Sequence, residues 1–547
     1  LYDAPAQQSR GNKTESTMAF RFAAVLTLFA SAAAAEGALT ILHVNDFHSR
    51  VEPVTRSGAP CGEKDAAEGK CFGGAARLAT AVAAARAAAG NAPVLMLNAG
   101  DVFQGSLFYT RYKGMAEAEL LAGLGADAMV LGNHEFDDGP GALAAFVDAV
   151  AHPVIGGNTD VSAEPLLAGK IPEAVVIEIG GQRVGVVGAL ATDTVETSSP
   201  GPNVRFAPVI DSLTAQVAAM QARGVARIVA LTHVGIDEDI AIARAVPGID
   251  AIIGGHSHTV MANGVEGARP YPLMVEGPEG RPVPIAHAGA NGVWLGRLEL
   301  TFDAAGNVTA AAGNPVLLEQ SIPEDPAVAA RVAELAAPLE EVRNRVVAEA
   351  LGPIDGDRAS CRAGECAMGA LVAEAMLDRV KDQGVRIAIQ NGGGLRASID
   401  AGPVTMGEVL TVLPFGNTLA TFTLTGADVI AALENGLSQV EDGAGRFPQV
   451  AGMRFVWDRA KPAGARVASV EVKDGDGWAP LDPAADYLAV TNDYMRRGGD
   501  GYRMFAEKGR DAYDFGPALD EVVAAYLAEN GPYRPGLRGA IAEVSAR

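Results

Sequence analysis

Histidine and cysteine are both scarce in this chain, with eight and four residues among 547. Four cysteines cannot staple so long a chain into a disulfide scaffold, although they suffice for two bridges. Aromatic residues make up only 5% of the composition, so aromatic stacking can occur only at a few chosen places. Positive charge is short as well: 43 Lys and Arg face 66 Asp and Glu, which leaves a formal charge of −23. That balance excludes the basic footprint required for non-specific binding to a nucleic-acid polymer. An anionic small molecule stays compatible, provided a metal or a local Arg cluster meets it. No apolar run reaches the roughly 20 residues of a membrane span. What remains is 49% hydrophobic and 20% charged, a composition that buries a core and fills several domains or a few large ones.

The amino terminus reads as an export signal. Residues 1–17 (LYDAPAQQSRGNKTEST) are polar and carry no fold pattern, as expected of translation upstream of a true initiator at Met18. Residues 18–35 combine Arg21 with a short apolar stretch ending in A-x-A, the layout of a secretory signal peptide. Cleavage near Ala35 would release a periplasmic or secreted chain with no membrane anchor, since the terminal GAIAEVSAR has no apolar tail for a lipid anchor. Oligomeric state is not legible. In an oxidising compartment Cys61 with Cys71, and Cys361 with Cys366, are expected to form two local disulfides. Zinc half-sites are disfavoured, because neither pair has CxxC spacing or a nearby His.

Five short apolar runs organise the first half: ALTILHVND (38–46), PVLMLNAGD (93–101), ADAMVLGNH (126–134), ARIVALTHV (226–234) and IDAIIGGHS (249–257). Helix-like, Ala-rich segments lie between them at 73–90, 141–150 and 211–224. The alternation predicts an α/β fold with buried strands, and periodicity by itself suggests one doubly wound sheet. Each run is closed by Asp, Asn or His within a residue or two. Loops beyond the carboxyl ends of such strands hold active sites, so these residues should converge. Singly, each motif is weak: Asp46-x-His48 also suits an Asx turn, and Gly132-Asn133-His134-Glu135 a helix cap. Together they are strong, because five of the eight His (48, 134, 233, 256 and 258) lie at these ends. Asp, Asn and His without thiolate suit divalent Zn, Mn, Fe or Co. Seven such ligands exceed one tetrahedral site and fit two ions about 3.5–4 Å apart that share a carboxylate, as in-line phosphoryl hydrolysis uses.

The order D-x-H, G-D, G-N-H-E, H and G-H-S-H resembles that of the calcineurin-like metallophosphoesterases. With the later segments CRAGEC (361–366), NGGGLR (391–396), PFGNTL (414–419) and TNDYMRRGGDGY (491–502), the chain is similar to the 5′-nucleotidase family from about residue 38 to 530. The resemblance implies a four-layer α/β/β/α metal domain (36–322) and a second α/β domain that binds nucleotide (352–547); between them, apolar residues at helical spacing over 323–351 predict a linker helix. It implies that Asp46, His48, Asp101 and His258 hold one ion and Asp101, Asn133, His233 and His256 the other. It also implies that His134, fixed by Asp137, stabilises the transition state. His43, His152 and His287 have no partner motif and read as structural.

In the second half no His occurs after His287. Three consecutive Gly after VRIAIQ would let the backbone approach a ligand, with Asn391 and Arg396 flanking. Arg362 sits inside the small Cys361–Cys366 loop. Phe415 and Tyr494 precede Gly-rich turns, where a buried core aromatic is the usual explanation and a base-stacking clamp the other, and Asp500 could accept two ribose hydroxyls. The resemblance implies that Arg362, Asn391, Arg396 and Asn417 bind phosphate and base, that Phe415 and Tyr494 sandwich the base, and that Asp500 holds the ribose. One departure is Met495-Arg496-Arg497 before GGDG: two positive groups beside the expected pocket, which could favour diphosphates or nucleotide sugars or simply face solvent. The resulting expectation is an exported two-metal hydrolase of nucleoside 5′-monophosphates using Zn, Mn or Co. The alternatives on the same scaffold are a UDP-sugar or nucleotide diphosphate hydrolase, a 2′,3′-cyclic phosphodiesterase and a thiosulfohydrolase. A nucleotide-binding surface protein with a degenerate site is the non-enzyme alternative, and every ligand position here is filled.

Overall fold

The computed structural model describes residues 37–544 apart from 57, 59, 476 and 515. The expected upstream extension and signal peptide lie outside the described residues. All five apolar runs form strands: Ala38–Val44, Val94–Asn98, Ala128–Val130, Arg227–His233 and Ala251–Gly254. They do not share one sheet, however. The first three run side by side and parallel in a seven-stranded sheet that Val154–Ile155 extends on one side and the antiparallel Trp294–Phe302 on the other. The last two lie in a separate six-stranded sheet, beside Gln182–Leu190, a strand that the sequence reading missed.

Strand alternation explains the layering. Odd-numbered Leu39, Ile41, Leu95 and Leu97 face the second sheet and pack with Val186, Val229, Leu231 and Ile253. Even-numbered Leu42, Val44 and Met96 point the other way, onto Leu78 and Val82 of the helix Ala75–Ala89 and Leu143 of Gly139–Ala149. Helices Val209–Ala222 and Ile236–Ala245 cover the second sheet with Leu213, Val217, Met220 and Ile242. A two-residue side-chain period puts both faces of each strand in apolar contact, so a sheet must be covered twice. The result is a four-layer α/β/β/α arrangement, which corrects the single-sheet reading.

The helix expected over 323–351 is shorter. Asp325 caps it by accepting from Ala327 N–H and Val328 N–H, and the helix Pro326–Ala336 continues through Ala337–Leu339 to Glu340–Arg343. It stops there, and Val346–Ala350 forms a strand paired with Gly402–Thr405. Consecutive β-branched Val346 and Val347 favour that outcome. The helix is not free-standing either: Val332, Leu335 and Ala336 join the core of the first half, and Arg331 grips Glu119 through two bonds of 2.6 and 3.0 Å.

In the second half the strands Ile387–Asn391 and Asp486–Asn492 run parallel at the centre of a five-stranded sheet. Ala388 faces the helices Ala367–Val380 and Leu519–Glu529, whereas Ile387 and Ile389 face Leu433 and Leu437 of Gly426–Leu437. Both expected disulfides are present, Cys61–Cys71 and Cys361–Cys366. No helix among the described residues is long and apolar enough to cross a membrane.

Leu97 is fully enclosed between the two sheets. Leu97→Ala should lower the unfolding free energy by about 2–5 kcal/mol, measured by urea denaturation. A loss below about 1 kcal/mol would show that the sheets do not depend on each other there.

Candidate functional site

The site forms where the carboxyl ends of both sheets meet. Asp46, His48, Asp101 and Asn133 come from the first sheet, and His233, His256 and His258 from the second. The chain turns sharply at these strand ends: Asp46, His48, Asp101, His256 and His258 all have left-handed φ, between 49° and 76°. Non-glycine residues avoid that region, and each such residue costs on the order of 1–3 kcal/mol. Packing around them is correspondingly tight. A Cβ on Gly132 would collide with the Asp101 carboxylate and backbone, and one on Gly255 would lie 2.7 Å from the Ala99 carbonyl.

The donors converge in linked sets. Asp46, His48 and His258 bring one ligand atom each to within 4.8 Å of one another, and so do Asp101, His233 and His256. His48 Nε2 lies 2.9 Å from His258 Nε2, and His258 Nε2 is 3.3 Å from Asp46 Oδ1. In the other set His256 Nδ1 is 2.9 Å from Asn133 Oδ1. Asp101 Oδ2 stands between, 3.1 Å from His233 Nε2 and 3.9 Å from His48 Nε2. The far ring nitrogens are already committed: His233 Nδ1 lies 2.6 Å from the Ala99 carbonyl and His48 Nδ1 3.3 Å from that of Phe103. Both rings therefore present Nε2 inward. Beyond the Asp101 carboxylate, the buried His233 Nε2 has no hydrogen-bond partner among the described residues. Facing imidazole nitrogens and buried carboxylates fit divalent metal ions held by nitrogen and oxygen.

His134 also brings a ring nitrogen to within 4.8 Å of ligand atoms of His48 and Asp101, but its other bonds differ from theirs. Its backbone N–H donates to Asp101 Oδ1 at 2.9 Å, and its Nδ1 meets Asp137 Oδ2 at 2.6 Å. Burial disfavours its charged form, yet the Asp137 and Asp101 carboxylates outweigh burial and raise its pKa above the ordinary value. The sequence reading missed Glu135 beside it. The Glu135 carboxylate accepts from the N–H groups of Asp101 (3.0 Å), Val102 (2.8 Å), Phe103 (3.1 Å) and Gly132 (2.6 Å), and so ties two ligand loops together. Burial and the Asp101 charge push its pKa up to about 7.

The second half closes over these groups. Arg396 Nη2 lies 3.3 Å from His48 Nε2, and the Phe415 ring stacks on His134 at 5.7 Å and 21°. One cavity of about 1080 Å³ is lined by Asp101, Asn133, His134, Asp137, His256 and His258 from the first half. From the second half it is lined by Arg362, Asn391, Arg396, Phe415, Asn417, Tyr494 and Asp500. Asp500 is buried at a left-handed φ of 54°, with Oδ2 accepting from Asn391 at 2.6 Å and Oδ1 from Tyr494 at 3.2 Å. Asn391 also accepts from Gln390 and Asn492, both at 3.0 Å, so its side chain braces Asp500 and keeps one N–H for a ligand. Arg358 is a further cavity residue that the sequence reading missed. Burial and the Arg396 charge lower its pKa to about 10, and burial with Arg358 and Arg396 lowers that of Arg362. Arg496 must be corrected. It is buried, donates to the Phe505 carbonyl, pairs with Asp514 and covers Phe422, away from the cavity. Arg497 does line the cavity, and pairs with Asp493 at 3.1 Å.

This is the architecture of a metal-dependent hydrolase with a covering substrate half, and comparison with known proteins narrows it. Residues 39–260 match the calcineurin-like phosphoesterase family model and residues 346–507 that of the 5′-nucleotidase C-terminal domain. A 5′-nucleotidase of Diplobatis ommata is 35% identical over 539 residues, 94% of this chain and 92% of that protein. The crystal structure of a 5′-nucleotidase precursor from Thermus thermophilus is 40% identical with a TM-score of 0.88, and covers 93% of this chain and 100% of its own. A sulfate thiohydrolase, SoxB, from the same species shares the fold at a TM-score of 0.77 but only 21% identity, over 93% of this chain and 97% of that one. The chain belongs to the 5′-nucleotidase family and is a metal-dependent phosphoester hydrolase.

Chelation should abolish hydrolysis, and added Mn, Co or Zn should restore it. Among single ligand changes Asp101→Asn should do most damage, because Asp101 alone lies between the two sets. Turnover and metal content measured across variants of all seven proposed ligands test this ranking. A near-normal Asp101→Asn would defeat the two-ion arrangement.

Proposed function

We propose that this is an exported enzyme that hydrolyses nucleoside 5′-monophosphates to nucleoside and phosphate. One observation carries the reading: Asp101, Asn133, His256 and His258 of the proposed metal ligands border the same cavity as the proposed base and ribose groups, and Arg396 of the second half lies 3.3 Å from His48 of the first. Two divalent ions, held by Asp46, His48 and His258 and by Asn133, His233 and His256 with Asp101 shared, would supply Lewis-acid charge to the phosphoryl group when bound. The chain's own groups do the rest. Arg396 and Arg362 hold the phosphoryl oxygens, and the three-glycine turn lets the nucleotide come close. Phe415 and Tyr494 take the base, while Asp500, oriented by Asn391, accepts from the ribose hydroxyls. His134, held at Nδ1 by Asp137, turns Nε2 towards the phosphoryl group and stabilises charge as it develops. The two disulfides and the expected signal peptide support a periplasmic or secreted location.

A second reading has its own support. The cavity of about 1080 Å³ exceeds the needs of a monophosphate, and Arg358 adds a third guanidinium. Both favour a nucleotide with a second phosphate, as in nucleotide diphosphates or UDP-sugars. Initial rates compared across four substrates separate these readings, each followed by its own product: phosphate from AMP, UMP and glucose 1-phosphate from UDP-glucose, 3′-AMP from 2′,3′-cyclic AMP and sulfate from a thiosulfonate. Activity on AMP below all the others would defeat the first.

Two variants test the division of labour. His134→Ala should lower kcat by about 10²–10⁴ with metal content unchanged, and loss of an ion would make His134 a ligand instead. Phe415 touches His134 and the Tyr494 hydroxyl bonds Asp500, so Tyr494→Ala is read against Tyr494→Phe, which keeps the ring and loses only the hydroxyl. Tyr494→Ala should weaken AMP binding by about 1–3 kcal/mol and leave hydrolysis of a base-free phosphate ester nearly unchanged. Equal losses on both substrates would assign Tyr494 to the core.

A further inference from the structure

We propose that Ser198 is a positioning residue for His134, acting through Asp137; the inference rests on the roles proposed above for that pair. Asp137 spends its two oxygens on different elements. Oδ2 lies 2.6 Å from His134 Nδ1, and Oδ1 accepts from the Ser198 hydroxyl at 2.6 Å. A carboxylate held through one oxygen can still turn about its Cβ–Cγ bond. Held through both it has one orientation, and so does the imidazole bonded to it.

Ser198 is 61 residues from Asp137 in sequence, on the loop that follows the strand Gln182–Leu190. That loop is fastened at its base. Ala191 N–H donates to the His233 carbonyl at 3.0 Å, and the Thr194 hydroxyl donates to the Ala191 carbonyl at 2.7 Å. Thr194 is fully buried, and its own carbonyl accepts from Ser198 N–H at 3.0 Å. The hydroxyl therefore hangs from the second sheet, beside the strand of His233, and reaches a carboxylate carried by the first. The short helix Thr194–Thr197 also lies against the turn Gly499–Gly501, which carries Asp500. The segment that carries Ser198 thus meets three elements: the strand of His233, the His134–Asp137 pair and the proposed ribose-binding turn. No motif announces it, because TDTVETSSP has neither a metal-ligand nor a glycine-rich pattern.

The test uses full-length protein with Ser198→Ala, Ser198→Thr, His134→Ala and the Ser198→Ala/His134→Ala double variant, assayed on AMP with metal content and thermal midpoint recorded. Ser198→Ala should lower kcat about 10–100-fold, the usual worth of an outer partner of a site residue. KM should stay within about threefold, as expected for loss of an interaction made in the transition state, and metal content and midpoint should not change. Ser198→Thr keeps the hydroxyl on an extended backbone (φ −153°) that β-branched residues accept, and should recover most of the turnover. Once His134 is absent, Ser198→Ala should cost less than about twofold more, because nothing is left to orient. Normal turnover in Ser198→Ala beside a damaged His134→Ala overturns this inference alone. Equal losses in both backgrounds, or a loss confined to KM, would mean that the hydroxyl serves the fold or the substrate directly, and would overturn it too. An undamaged His134→Ala would remove the role of the His134–Asp137 pair itself, and this inference with it.

Discussion

Three carboxylates, those of Asp46, Asp101 and Glu135, are enclosed at the junction of two sheets with at most 2% exposure, and the site is built around meeting their charge. An uncompensated buried carboxylate costs several kcal/mol, so each must be answered locally. Glu135 is answered by four backbone N–H groups. Asp46 takes the His256 N–H at 3.1 Å and the Asn45 amide at 2.7 Å. Asp101 takes the His134 N–H and faces His233. These bonds draw the loops inward and leave lone pairs of oxygen and imidazole facing one another. A constellation of that kind becomes favourable when cations occupy it, which is the electrostatic reason that so many buried donors can face one another.

The same constraint accounts for the backbone. Five of the seven proposed ligands sit at left-handed φ, a conformation that local preference resists. The opposing force is the apolar packing of two sheets, with Leu97, Leu231 and Ile253 fully enclosed a few residues before the turns. Strain is thus stored where the chain leaves the sheets and is supported by the core immediately behind it. A site on one sheet could draw only on loops along one edge. Joining two sheets face to face brings His233, His256 and His258 opposite Asp46, His48 and Asp101, so the ions would also tie the two layers together.

The legible parts of the sequence were those in which a local pattern carries the physics. Apolar runs closing in Asp, Asn or His named the seven proposed ligands, because a strand end and a donor are adjacent in sequence. Their division between two sheets was not legible, since a buried parallel strand reads the same in either sheet. The strand Gln182–Leu190 was missed because its glycines, Gly185 and Gly188, dilute the β signal. Glu135 was visible only as part of a motif, and its four backbone bonds depend on loops more than 30 residues away in sequence. Arg358 carries a weak signal, four residues before Arg362 across one helical turn. Arg496 shows the reverse error. Position beside a glycine turn suggested the pocket, but the side chain follows the helix Asp493–Arg496 into the core, where Phe422 and Asp514 receive it.

A chain with formal charge −23 that is proposed to bind a phosphate ester has to separate its local field from its global one. At physiological ionic strength the charge of the distant surface is screened beyond about 8 Å, so the acidic exterior weighs little inside a cleft. Within the cavity the near charges decide, and there Arg358, Arg362 and Arg396 stand close enough to one another that burial and mutual repulsion lower the pKa values of Arg358 and Arg362. Three guanidinium groups held together at that cost are in want of an anion. Burial lowers the Arg396 pKa as well, and the carboxylates of Asp101, Asp137, Asp46 and Asp500 work against that loss; the first three belong to the opposite half of the molecule. Part of the attraction between the halves is therefore arginine to carboxylate. A bound phosphate would meet the arginines on one side and the proposed ions on the other, adding its own charge to the contact that closes the cavity.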